Sequence, residues 1–230
     1  MIKYLTAGFL LCAATMLAQP DYEACNQLLA RYVSPDGRVD YKNLKANRAA
    51  LDAVAAQFSA QQPSEKWSRE EQMAFWINAY NLFTLQLIID HYPLKSIMDL
   101  DGGKTWDIKR IRIGGTSYSL NQIENDILRA RFKDPRIHFA INCAAKSCPP
   151  LSNQAFRPAT LQQQLDTRTR LFVRSKSNVL NPDAVRVSKI FEWYAADFGA
   201  LIPFLNRYAR VKIKPAASVE YLPYDWSLNE

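Results

Sequence analysis

The chain has 230 residues, 48% of them apolar and 22% charged, with a formal net charge of +7. This composition excludes global disorder and suffices for one globular domain with a sizeable core. The basic excess lacks the basic and aromatic interleaving or zinc-finger spacing that nucleic-acid recognition uses, so it reads as a solvated surface.

The first eighteen residues, MIKYLTAGFLLCAATMLA, carry Lys3 and then no further charge. The run is too short for a comfortable membrane span and reads as a secretory signal, cut after Ala18. Met16 is larger than such a cut prefers, and Leu11 before Cys12 disfavours lipidation. Cleavage leaves 19–230 as a single domain with a charge of 7 − 1 = +6 and 4 − 1 = 3 cysteines. The expected location is periplasmic or extracellular, where an odd cysteine count implies one pair and one free thiol.

Asp21 to Tyr32 reads as a short helix, SPDGRVDY as a turn, and Lys42 to Ala60 as an amphipathic helix. The next helix is capped by Ser68, with Glu70 and Glu71 in its first turn, and is stopped by Pro93. Between Met73 and Ile89 it carries no charge and is apolar all round, which predicts burial on most sides. WDIKRIRIGGTSYSL predicts a hairpin turning at Gly114-Gly115. Ser119 with Gln122 is a capping box opening the helix LNQIENDILRARF. PRIHFAIN reads as a short buried strand, Ala159 to Val173 as a helix and AVRVSKI as a strand. FEWYAADFGALIPFLNRYA reads as helical with breaks near Gly199 and Pro203, and VEYLPYDWSLNE as extended. The sum is a helix-rich α+β fold: a buried central helix packed on a small, mostly antiparallel sheet.

The stretch INCAAKSCPPL (Ile141 to Leu151) concentrates the chemistry, with His138 three residues ahead of it. If Pro135 to Asn142 is a strand, His138 and Asn142 face one way and Cys143 the other. Cys148, after a turn, is then the easier partner for His138. A reactive thiol needs a cation or imidazole to lower its pKa, and Lys146 and His138 qualify by position. Pro149 and Pro150 remove backbone donors just after Cys148. Three readings stay open: a Cys143–Cys148 disulfide or redox pair, one functional thiol, or two inert buried thiols. Two cysteines and one histidine leave a metal site a ligand short, with His91 elsewhere, so neither metal nor cofactor is expected.

Asn78 and Asn81, three apart on the apolar helix, need partners. They bond the backbone of adjacent loops, or line a pocket and orient a histidine or a substrate carbonyl. Glu124 is a buried carboxylate paired with an arginine such as Arg129, or a plain exposed residue. Trp193, Tyr194, Tyr224 and Trp226 are core residues by default and pocket lining otherwise.

The segments AFWINAYNLFTL, YSLNQIENDILR, DPRIHFAINCAAKSCPPL, SKIFEWYAADF and YDWSLN, in this order, resemble the family called domain of unknown function 547, DUF547. The resemblance covers about residues 40–229. Asn78, Asn81, Glu124, His138, Cys143 and Cys148 match the family's pattern, which gives none of them an established role. A buried helix followed by a His-bearing segment is also similar to the plan of papain-like and transglutaminase-like domains. Those carry a nucleophilic cysteine at the start of the helix, and Arg69 to Ile77 has none. Two functions are expected to compete. One is hydrolysis or acyl transfer on a small-molecule, peptide-like or cell-envelope substrate, with His138 as base, Cys148 as candidate nucleophile, and Asn78, Asn81 and Glu124 in the cleft. The other is a non-catalytic module with a Cys143–Cys148 disulfide. Nucleic acid is not an expected partner, and a membrane only through the signal.

Overall fold

The computed structural model describes residues 20–61 and 63–230, so the expected signal segment lies outside the described residues. The side chain of Asp21 accepts from the backbone N–H groups of Glu23 and Ala24 and opens α1 (Tyr22–Tyr32). The single helix expected over Lys42 to Ala60 is two, α2 (Tyr41–Ala46) and α3 (Arg48–Ala60). The break is at Asn47, at φ −114° and ψ 33°. Its side chain donates to the Asn43 carbonyl at 3.0 Å, a local bond that competes with helix continuation.

The central helix α4 (Arg69–His91) has the predicted cap: Ser68 and Glu71 bond each other's backbone as a capping box. Every residue from Met73 to Leu85 is buried, and α3, α2 and the helix at Gln122–Arg129 pack around it. The hairpin also forms as predicted, β1 (Ile111–Ile113) against β2 (Thr116–Tyr118), turning on two glycines at φ 56° and 82°. Positive φ at both turn positions suits the right-handed twist of a two-residue hairpin. Gly114 N–H donates to the Ser59 carbonyl at 3.0 Å and seats the hairpin on α3.

Ser119 and Gln122 form their reciprocal cap, at 3.1 and 3.2 Å. The helix they open, Gln122–Arg129, is wound as a π-helix and runs into α5 (Ala130–Phe132). The strand expected in PRIHFAIN is absent. Pro135–Phe139 is a 3₁₀ turn, because Pro135 suits the first helical position and Asp134 caps it by accepting from the Arg136 N–H at 3.0 Å. The strand-parity argument that set Cys143 away from His138 falls with it.

The helix expected over Ala159 to Val173 forms as a 3₁₀ turn (Pro158–Thr160) and α6 (Leu161–Val173). A second sheet then follows. β3 (Val179–Leu180) pairs antiparallel with β4 (Ala184–Ser188), and β5 (Ser218–Leu222) lies parallel on the other side of β4. Three short helices, α7 (Ile190–Trp193), α8 (Ala195–Phe198) and α9 (Leu201–Tyr208), lie between β4 and β5. The chain breaks at Tyr194 and Gly199; Pro203 sits harmlessly in the first turn of α9. The strands thus make two small sheets. The hairpin shares the core of α4, and the three-stranded sheet shares a second core with α6 to α9. Among the described residues no helix is long and apolar enough to cross a membrane.

Candidate functional site

The two cores meet at the 3₁₀ turn. Ile137 belongs to the core of α4 and Phe139 to the core of the three-stranded sheet, and His138 lies between them. A cavity of about 180 Å³ opens beside it. Glu124, His138, Cys143 and Cys148 all line it, so four of the sequence-predicted site residues share one space.

His138 is 3% exposed and stacks on Tyr194, with ring centroids 4.0 Å apart. Its Nε2 lies 2.7 Å from Asp197 Oδ2. Arg129 holds the same carboxylate with two donors, at 2.6 and 3.0 Å. Burial pushes Asp197 up, but the bonds from Arg129 and His138 outweigh it and keep the carboxyl below its ordinary range. With an ionised partner on Nε2, that nitrogen carries the proton and donates, leaving the lone pair on Nδ1. Burial lowers His138 to about 4, against the opposing pull of Asp197, so the ring is neutral at neutral pH.

Glu124 is buried on the π-helix. Tyr194 OH donates to its Oε1 at 2.6 Å and Tyr80 OH to its Oε2 at 3.1 Å. Burial raises its pKa, and the two phenol bonds only partly oppose this. Its charged form therefore has two donors in place, while burial favours its neutral form. Arg129, five residues on, is spent on Asp197 and does not bond Glu124.

The cysteine loop is knit by asparagines. Asn81 donates to the Ala140 carbonyl and accepts from the Asn142 N–H, both at 2.9 Å. Asn142 donates to the Pro149 carbonyl at 2.9 Å and accepts from the Ala144 N–H at 2.8 Å. Asn229 donates to Asn142 Oδ1 at 3.3 Å and accepts from Tyr41 OH at 2.7 Å. Gly37 lies under this loop at φ +84°, where a Cβ would come within 2.4 Å of the Pro150 Cβ. Asn78 clamps Phe156 in the same way, accepting from its N–H at 2.9 Å and donating to its carbonyl at 2.7 Å. The amides of Asn78, Asn81 and Asn142 are thus committed to backbone, and none of the three lines the cavity.

Cys143 and Cys148 are bonded to each other, with Cα atoms 6.4 Å apart. Cys25, the other cysteine described, is free and buried. Tyr224 donates to Cys148 Sγ at 3.2 Å. Trp193, Tyr194, Tyr224 and Trp226 all line the cavity, the pocket reading of the two aromatic runs; Trp193, 45% exposed, sits at the rim. Sequence reasoning missed Asp197, Arg129's pairing with it, Tyr80, and the role of Tyr194 as a donor to Glu124. Asp197 is one of two carboxylates, with Glu192, in the aromatic run FEWYAADF, and nothing in the sequence separates them.

The family described as "Protein of unknown function, DUF547" matches residues 64–173. That stretch carries Asn78, Asn81, Glu124, His138 and both loop cysteines; Asp197, Trp193 and Tyr224 lie beyond it. No curated protein and no solved structure matches the chain.

Proposed function

From residues 64–173, which belong to the DUF547 family, and from the cavity beside them, we propose that the chain is an acid–base hydrolase of small acyl compounds. One observation carries the reading: His138, paired with Asp197 at 2.7 Å, and the buried Glu124 line the same cavity. Such pairs of groups, with environments that push their pKa values apart, divide into base and acid. While Cys143 and Cys148 are bonded neither is a nucleophile, so water attacks. His138 Nδ1 takes the water proton, and Asp197 stabilises the resulting imidazolium. Protonated Glu124 gives its proton to the leaving group, and Tyr80 and Tyr194 stabilise the resulting carboxylate. The imidazolium and the Glu124 carboxylate thus each have a partner already in place. Asn81 and Asn78 position the backbone around the site and touch no substrate. The aromatic wall suits a flat or apolar substrate face, and the expected export suits peptide-like or envelope-derived acyl compounds.

The test is turnover of a panel of chromogenic esters and anilides by the wild type, His138→Ala and Glu124→Gln. General acid–base roles predict losses of about 100-fold or more in each variant. Equal turnover in all three overturns the reading. The second reading is a binding module, favoured by the closed disulfide and the internally bonded Glu124. It predicts that panel compounds bind in the cavity without turnover.

A further inference from the structure

The Cys143–Cys148 bond lies in the cavity wall, and its two sulfurs differ in environment. Cys143 is half-buried and Cys148 is 7% exposed. Cys148 Sγ accepts from the Cys143 backbone N–H at 3.1 Å and from the Tyr224 hydroxyl at 3.2 Å; the same hydroxyl lies farther from Cys143 Sγ, at 3.5 Å, and the backbone donor falls on Cys148. Tyr224 is held at 4.8 Å from the Trp193 ring and 4.6 Å from the Trp226 ring, so its hydroxyl is fixed. The loop is also tied to the segment carrying Tyr224, through Lys146 N–H to the Ser227 carbonyl at 2.7 Å and Ser147 N–H to the Asp225 carbonyl at 3.1 Å. Cys148 N–H bonds the Ala145 carbonyl at 3.0 Å. The loop thus keeps its shape through bonds other than the disulfide, which closes only five residues of chain. A short loop gains the least from cross-linking.

We propose that this disulfide is itself a reacting group that oxidises thiol compounds entering the cavity, with Cys143 as the sulfur attacked and Cys148 as the leaving group. A substrate thiolate forms a bond to Cys143 Sγ. The Cys143–Cys148 bond breaks, and its electron pair goes to Cys148. The new thiolate is received by the Cys143 N–H and the Tyr224 O–H, and a better-stabilised leaving thiolate departs faster. A second substrate thiol then attacks the mixed disulfide, the substrate leaves as a disulfide, and Cys143 takes up a proton. Two electrons pass from two substrate thiols to the protein pair, and exchange with a disulfide compound in the reverse direction restores it. Burial of Cys148 opposes the thiolate, which is why two donors on that sulfur matter. The inference uses neither His138 nor Glu124 as a proton carrier and stands apart from the hydrolase reading.

The test uses the folded, oxidised chain with reduced glutathione in native buffer, quenched with N-ethylmaleimide and mapped by peptide mass spectrometry. The expected product carries glutathione on Cys143 and maleimide on Cys148. Tyr224→Phe, checked for native circular dichroism, slows its formation about 10-fold or more, the loss of one hydrogen bond to a charged group. Glutathione on Cys148, a rate unchanged in Tyr224→Phe, or a bond that opens only in denaturant each overturns the proposal.

Discussion

At the scale of single residues, His138 and Glu124 are buried ionisable groups whose proton affinities move in opposite directions, and pH separates them. His138 has its folded pKa at about 4, below the unfolded value near 6.5. As pH falls through this window the unfolded chain takes up a proton that the folded chain refuses, so stability falls. The loss from this group approaches about 3 kcal/mol at pH 4. Glu124 works the other way. Its folded pKa is raised, so its contribution is present at low pH and lost as pH rises through the folded pKa. The two effects offset each other in the wild type. Urea titrations between pH 7 and 4 are expected to show a steeper loss in Glu124→Gln than in the wild type; parallel curves would remove Glu124 as a titrating group. The proposed hydrolysis is expected to show an acid limb near pH 4 from His138 and an alkaline limb from Glu124, and a flat pH–rate profile would count against both roles.

At the scale of elements, the cysteine loop is built from outside itself. Its backbone is held by Asn81 on α4, by Asn142 within it and by Asn229 near the chain's end. Asn81→Ala leaves the Ala140 carbonyl and the Asn142 N–H buried without their partner, and the expected loss is about 2–4 kcal/mol in urea unfolding. A change below about 0.5 kcal/mol would mean that water replaces the amide fully. Asn78 and Asn81 were legible as polar residues needing partners on an apolar helix, and backbone bonding was one of the two readings open. The cap of α4, the hairpin and the Ser119–Gln122 box were legible because each rests on contacts within a few residues. The segment after Asp134 was misread. The apolar run IHFAI has the pattern of a buried strand, but the Asp-Pro start sets the local backbone and makes a 3₁₀ turn. The break at Asn47 was missed because it depends on one side chain turning back on its own helix.

At the scale of the whole molecule, segments far apart in sequence make one cavity: Tyr80 on α4, Glu124 on the π-helix, the cysteine loop, Tyr194 after α7, and Tyr224 and Trp226 beyond β5. No periodicity links Asp197 to His138, 59 residues apart, so that pair was invisible until the chain was folded. The central helix and the fold class were legible because burial leaves its mark along a continuous stretch. Asn229 is the widest of these links, joining Tyr41 to Asn142 across 188 and 87 residues. Asn229→Ala is expected to lower stability by about 2–3 kcal/mol with the urea m-value unchanged, because it removes a native contact without altering the exposed surface. An unchanged midpoint would show that the loop stands without this tie.

The turn Ile137-His138-Phe139 sends three successive side chains to three destinations: one core, the cavity and the other core. The imidazole therefore has no anchor of its own apart from Asp197 and the rings around it. Its place is the resultant of how two packed bodies abut. A change in how the two cores pack at this turn would move the ring relative to Glu124. The ring resonances of His138 are therefore expected to report a ligand or variant that changes how the two cores pack against this turn.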